Sequence, residues 1–225
     1  MIVVGLTGSI GMGKSTTGRL FAEAGIPVYD ADECVHRLYS GKAAPLIEDA
    51  FPGTVKDGTV DRNELARHVM GKPEALARLE AIIHPLVREM RETFLAQARQ
   101  NRAHIAILDV PLLFETGSET HVDAVVLVTT SPEIQRERVL KRPDMTPEKL
   151  DAILERQMPD AEKRLRSHFL VETGKGVDLA RRRVAAILRA MAAIGAPVRS
   201  HSEISGPTMG QATADRATAS RAMGG

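Results

Sequence analysis

Ile2–Leu6 reads IVVGL, and after Thr7 the segment Gly8–Ser15 reads GSIGMGKS, followed at once by Thr16-Thr17-Gly18-Arg19-Leu20-Phe21. The second stretch matches G-x-x-x-x-G-K-[ST] in full. It stands where that motif's mechanism needs it, directly after a buried-strand run and directly before a helical pattern. Glycines let the backbone wrap closely, so that successive N–H groups point inward at phosphate oxygens. The following helix adds the positive end of its dipole. Gly8, Gly11, Met12, Gly13, Lys14, Ser15 and Thr16 are therefore the candidate ATP-binding positions. Lys14 bridges the β- and γ-phosphates in this reading, and the Ser15 hydroxyl ligates Mg²⁺. An accidental match of the four fixed positions arises in roughly one chain in a hundred at ordinary residue frequencies.

Further along, Pro27–Tyr29, Ile105–Leu108 (IAIL), Ala124–Val128 (AVVLV) and the weaker Phe169–Val171 are apolar runs without alternation, as expected of parallel strands covered on both faces. Helical patterns separate them: Lys14–Glu23 closing at Gly25, Asp61–Met70 with a capping-box-like start, Pro85–Gln100, Pro132–Lys141, Pro147–Arg156 and Leu179–Ala193. The alternation predicts a three-layer α/β/α P-loop fold with a parallel five-stranded sheet. Residues 1–194 form the expected globular domain, with its core at about 1–31, 100–140 and 169–194. A subdomain of helix and turn over the strand ends is expected at about 32–99, and a second helical insertion, a candidate lid, at about 141–168. From 195 to 225 the residues are mainly Ala, Ser, Thr, Gly and Arg, too poor in apolar surface to offset ordering entropy, so this segment reads as a disordered tail.

Composition narrows the function. Thirty basic side chains against 29 acidic ones leave a formal charge of +1, which gives no general reason to bind nucleic acid or an anionic membrane. Aromatics are 3% with no Trp, so a stacking platform for bases is poorly supplied. Cys34 is the single cysteine, which excludes an intramolecular disulfide framework and a multi-cysteine metal site. The start lacks a basic n-region and no apolar run approaches a membrane span, so a cytoplasmic protein is expected.

A P-loop alone does not name a reaction. No N-K-x-D guanine-reading motif occurs, and a small phosphotransferase needs an acceptor pocket, a group for the acceptor hydroxyl and cations for the transferred phosphoryl. Asp30-Ala31-Asp32 places two carboxylates at a strand end beside the P-loop, where open α/β sheets bind ligands; an N-cap for the next helix explains one of them. Asp109 ends the IAIL strand, either as a Mg²⁺ contact made through water or as a turn former. Gln135, Arg138, Lys141, Arg142, Arg156 and Gln157 are a solvated charged face or a lid closing on ATP, with Arg138 and Arg142 as its nucleotide contacts. His84-Pro85 interrupts a helical region, because the residue before Pro is pushed out of helical geometry. Pro111–Phe114 at a strand end are core or the wall for an apolar ligand arm.

These pieces, taken in order, resemble the dephospho-CoA kinase family: GLTGSIGMGKS at 5–15, VYDAD at 28–32, IIHPLVR at 82–88 and DVPLLFE at 109–115. The resemblance covers about 1–194 and implies transfer of phosphate from ATP, with Mg²⁺, to the ribose 3′-hydroxyl of dephospho-CoA. It implies Asp32 as the acid at that hydroxyl, with Lys14 and Arg142 completing the catalytic set. His84, Pro85, Leu112, Leu113, Phe114 and Glu115 line the acceptor pocket by the same resemblance. Ser9 stands where the family usually has Gly, and Glu172-Thr173-Gly174 where it often has Asn-x-Gly, near the adenine of ATP. A nucleoside monophosphate kinase and an ATP-dependent switch are the rival readings.

Overall fold

The computed structural model describes residues 1–195; the expected tail beyond Gly195 lies outside the described residues. In chain order the elements are β1 (Ile2–Thr7), α1 (Lys14–Glu23), β2 (Val28–Asp30), α2 (Ala31–Tyr39), α3 (Ala43–Ala50), β3 (Val55–Lys56), β4 (Thr59–Val60), α4 (Arg62–Val69) and α5 (Pro73–Gln100). They continue as β5 (Ile105–Asp109), a 3₁₀ turn at Ser118–His121, β6 (Ala124–Thr129), α6 (Pro132–Leu140), α7 (Pro147–Glu155), α8 (Asp160–Arg166), β7 (Phe169–Glu172) and α9 (Val177–Gly195).

Five strands pair in parallel in the order β2-β5-β1-β6-β7. Their side chains alternate between two cores. Val4, Leu6, Ile105, Ile107, Val126 and Val128 face α1 and α9, meeting Leu20, Phe21, Val184 and Ile187. Val3, Ala106 and Leu108 point the other way, into a core shared with Cys34, Leu38, Ile47, Phe51, Leu79 and Ile83 of α2, α3 and α5. Both faces are therefore dry, which is why the strands read as unbroken apolar runs. On α9 the buried Ala180, Val184, Ile187 and Met191 recur at three- and four-residue spacing, one stripe of an amphipathic helix. Among the described residues no helix is long and apolar enough to cross a membrane.

Two local expectations need correction. First, His84-Pro85 does not break the chain's course: α5 runs unbroken for 28 residues from Pro73 to Gln100 with Pro85 inside it. Pro in a helix interior costs about 3 kcal/mol. The same helix buries Leu79, Ile83, Leu95 and Ala98, at roughly 1.5–3 kcal/mol for each large side chain, so packing outweighs the lost hydrogen bond. The N1 proline of this helix is Pro73, not Pro85. Second, the 32–99 segment is not all helix and turn, since β3 and β4 form an antiparallel hairpin. Its signal was Asp57-Gly58 between β-formers: both take positive φ (50° and 75°), as a two-residue hairpin turn of matching twist requires. Within the helical insertion after α7 stands a separate helix, α8.

Candidate active site

The end of β1 delivers the chain into Gly8–Gly13, and Lys14 opens α1. Gly11 and Gly13 sit at φ 76° and 94°, a region that costs any residue with a Cβ. Gly8 is needed for a different reason: a Cβ there would lie 2.6 Å from the Val128 carbonyl oxygen of β6. Ser9 is absent from the non-glycine residues of positive φ, which among the described residues are Asp57, Arg102 and Asp144, so replacing the family's usual glycine imposes no left-handed strain.

The loop is held from outside. The Gln135 side-chain amide donates to the Ile10 carbonyl (2.8 Å), and the Ile10 N–H donates to Gln157 Oε1 (3.2 Å). The Thr173 hydroxyl donates to the Met12 carbonyl at 2.7 Å. Arg138 grips the same residue twice, donating to Thr173 Oγ1 and to its carbonyl, each at 2.9 Å. These bonds hold the Ile10 and Met12 peptides of the loop from outside, and its glycines line the cavity.

Strand register brings the acids together. Asp109 pairs with Leu6 of β1 and with Asp30 of β2, so the three strand ends stop level beneath the cradle. Lys14 Nζ donates to Asp109 Oδ1 at 2.6 Å, and the Asp109 side chain is 4% exposed. Burial pushes the Asp109 carboxyl above the ordinary carboxylate range; Lys14 pulls against this, while Asp30 and Asp32 add to it. The two acids at 30 and 32 separate cleanly. Asp30 is the N-cap of α2, its Oδ1 accepting from the N–H groups of Asp32 (2.9 Å) and Glu33 (3.0 Å). Asp32, one step into the helix, is exposed, and among the described residues no side chain bonds its carboxylate.

One cavity of about 600 Å³ gathers Gly8–Gly11, Gly13–Thr16, Asp32, Pro111, Arg138 and Arg142, with Gln157 and Ile153 from the end of α7. Residues far apart in sequence thus converge on the cradle. Thr173, from the Glu172-Thr173-Gly174 stretch that the resemblance sets near the adenine, also lines it; so do Gly176, Val177 and Ala180, which have no chemical signature in the sequence because they are small or apolar. Met12 is buried and packs under the loop, its sulfur accepting from the Thr130 N–H (3.2 Å), so it contributes backbone rather than side chain.

The acceptor residues suggested by resemblance are not lining this cavity. His84 and Pro85 are exposed on the surface of α5, the imidazole standing on a continuous helix rather than at a break. Leu112 is 41% exposed, whereas Leu113 and Phe114 are buried against Val125 and belong to the core, because the chain turns inward directly after Pro111. Glu115 turns away to an ion pair 2.7 Å from Lys163 of α8 and accepts from the Met158 N–H (2.9 Å). Arg156 is likewise exposed outside the cavity, although its neighbour Gln157 lines it.

The family model for dephospho-CoA kinase matches residues 2–178. A dephospho-CoA kinase of Rhodopseudomonas palustris is 60% identical over 192 residues, covering 85% of this chain and 96% of that protein. One from Mesorhizobium japonicum is 62% identical over 188 residues, covering 84% and 95%. A crystal structure of a Thermus thermophilus protein superposes with a TM-score of 0.75 at 36% identity, over 84% of this chain and 96% of that one.

Proposed function

This chain belongs to the dephospho-CoA kinase family, its reaction being ATP-dependent phosphorylation of the ribose 3′-hydroxyl of dephospho-CoA to give coenzyme A and ADP, and we propose that Asp32, Lys14 and Arg142 carry that reaction. The observation that supports the reading is the single cavity in which these three side chains, from α2, α1 and the turn after α6, face the Gly8–Ser15 cradle.

In the step itself the 3′-hydroxyl oxygen forms a bond to the γ-phosphorus of ATP, and the bond from that phosphorus to the β–γ bridging oxygen breaks, releasing ADP. The hydroxyl proton passes to the Asp32 carboxylate. Free of hydrogen bonds from other side chains and open to the cavity, that carboxylate can orient the hydroxyl and then accept its proton. Phosphoryl transfer passes through a loose transition state, so orientation outweighs basicity. Lys14 exchanges its contact with Asp109 for the phosphate oxygens, and Arg142 meets charge that spreads over the transferred group.

The Ser15 hydroxyl and the Asp109 carboxylate are oxygen donors at the cradle, the set that Mg²⁺ takes when phosphates supply its other ligands. Among the described residues no group of three or more acidic, His or Cys side chains is arranged to hold a metal unaided, which fits a cation shared with the nucleotide. Bound there, Mg²⁺ supplies charge neutralisation on the β- and γ-phosphates. Acceptor binding is assigned to His84, Pro85 and Leu112, which are exposed, with Leu113, Phe114 and Glu115 fixing the shape of their segment from beneath. The 32–99 region serves as the acceptor-binding unit and 141–168 as the lid, Gln157 relaying lid position to the Ile10 peptide.

The test measures ADP formation with dephospho-CoA, and with AMP, CMP, UMP or dTMP in its place. Turnover that depends on dephospho-CoA and is negligible with the monophosphates is expected. Preference for a monophosphate, or a stoichiometric ATP burst without acceptor dependence, overturns the reading.

A further inference from the structure

We propose that Thr173 is the positioning residue for the donor nucleotide: its hydroxyl couples Arg138 of α6 to the P-loop backbone and thereby sets ATP affinity. The proposal rests on the reading above only in taking ATP as the donor.

Thr173 stands at the exit of β7, and its backbone N–H continues the sheet ladder by donating to the Thr129 carbonyl at 3.0 Å. The residue is 9% exposed, and its hydroxyl both donates and accepts. The hydroxyl proton goes to the Met12 carbonyl at 2.7 Å, the Thr129 carbonyl at 3.4 Å being the poorer alternative. The same oxygen accepts from Arg138 Nη1 at 2.9 Å, and the Thr173 carbonyl accepts from Arg138 Nη2 at 2.9 Å. One residue thus joins the sheet, the cradle and the cationic helix, which lie 44, 161 and 35 positions away in sequence.

Two further facts tie this junction to the nucleotide. A Cβ at Gly13 would approach Thr173 Oγ1 to 3.1 Å, so the junction packs directly against the residue that precedes Lys14. Thr173 and Arg138 both line the cradle cavity, whose far wall is Gly176, Val177 and Ala180 on the chain that continues from Thr173. Arg138 spends two of its five donors on Thr173, and a fork with two hydrogen bonds at one end has a fixed plane for its remaining donors. Arg138 is therefore oriented before ATP arrives. Because the bond to Met12 is made inside the protein, it acts equally on ground state and transition state, which is the signature of uniform binding.

Thr173→Val keeps the shape and removes the hydroxyl. The Met12 carbonyl and Arg138 Nη1 then lose a buried partner, and the expected result is a rise of roughly tenfold in both KM and Kd for ATP. The kcat should stay within about threefold, and KM for dephospho-CoA should not move. Thr173→Ser keeps the hydroxyl and should restore ATP affinity to within about twofold of the native protein. Kd is read by calorimetry with MgATP and no acceptor, so the outcome does not depend on the acceptor's identity. Wild-type turnover with dephospho-CoA, run alongside, tests the functional reading separately. If Thr173→Val does not fold, Thr173→Ala carries the test, because it removes the same hydroxyl without a branched side chain to place; it should show the same loss in affinity. A folded Thr173→Val with native ATP affinity overturns the proposal. So does a fall confined to kcat, or a Thr173→Ser variant as impaired as Thr173→Val.

Discussion

Gly11→Ala should be among the most destabilising single-methyl changes in this protein, and the structure divides its cost into two parts. At φ 76° the residue lies in the left-handed region, which costs an alanine about 1–2 kcal/mol. The added Cβ would also fall 2.4 Å from Val139 Cγ2 and 3.1 Å from the Gln135 carbonyl oxygen. Ordinary carbon contacts are about 3.5–4.0 Å, so the loop or α6 must move by more than an ångström, and forced overpacking of that kind costs about 1–3 kcal/mol. The sum is about 2–5 kcal/mol, or a fall of roughly 5–15 °C in Tm for a domain of this size. Gly25 supplies the control: its φ is 80°, yet nothing stands within 4 Å of its Cβ position, so Gly25→Ala carries the conformational cost alone. Adding Val139→Ala to Gly11→Ala opens the space and should show a favourable coupling of about 1–3 kcal/mol in urea titrations of the four-member cycle. If Gly11→Ala and Gly25→Ala melt together, or the cycle is additive, the close approach of α6 to the P-loop is wrong.

Asp32→Asn should fold normally, bind ATP with near-native affinity and lose about 10²–10⁴ in kcat by single-turnover kinetics, whereas Asp30→Ala should instead lose about 1 kcal/mol of stability with its N-cap. Retention by Asp32→Asn of more than about a third of wild-type turnover, far outside that range, would remove Asp32 from the catalytic role. Arg142→Ala should lower kcat by about 10³–10⁵ with a smaller change in ATP affinity, and Arg142→Lys should recover only part of it; an effect confined to KM would make Arg142 a binding residue. At Glu115, burial raises the carboxyl's pKa, but the Lys163 ammonium and the Met158 N–H outweigh it and hold the group below the ordinary range. A carboxyl depressed on folding contributes stability that is present above its unfolded value of about 4.3 and is lost as pH falls through the lower folded value. Glu115→Gln should therefore flatten the acid limb of Tm against pH, and at neutral pH it should cost about 3–5 kcal/mol, because Lys163 at 0% exposure is left without its partner. A native Tm for Glu115→Gln at pH 7 would mean that the pair is not buried in solution.

The five core strands and the P-loop were legible because the physics that makes them is local. IVVGL, IAIL and AVVLV are apolar without alternation, and their shortness and β-branched content fit strands of a sheet covered on both faces better than a buried helix. The Gly8–Ser15 cradle is likewise a property of eight consecutive residues, and so is the cap at Asp30, once the next helix is known to begin at Ala31. Pro85 defeats its local rule for the complementary reason. That rule disfavours helix, but Leu79, Ile83, Leu95 and Ala98 are buried against partners that no window around residue 85 contains. Asp57-Gly58 carries the hairpin in its own dipeptide, within a segment dominated by helix.

The chemistry of individual residues belongs to the sequence; their grouping belongs to the tertiary structure. A lysine after G-x-x-x-x-G and an acid at a strand end announce themselves wherever they occur. That Asp109 lies against Lys14, that Asp30 caps α2 while Asp32 lines the cavity, and that Glu115 faces Lys163 all follow from strand register and from which way a chain turns after a strand. Thr173 is the clearest case. The resemblance sets Glu172-Thr173-Gly174 near the adenine, but the hydrogen bonds of Thr173 exist only because the parallel order β1-β6-β7 brings the ends of those strands together beside Arg138. Contacts between residues more than a hundred positions apart are decided by the packing of whole elements, and no local rule encodes them.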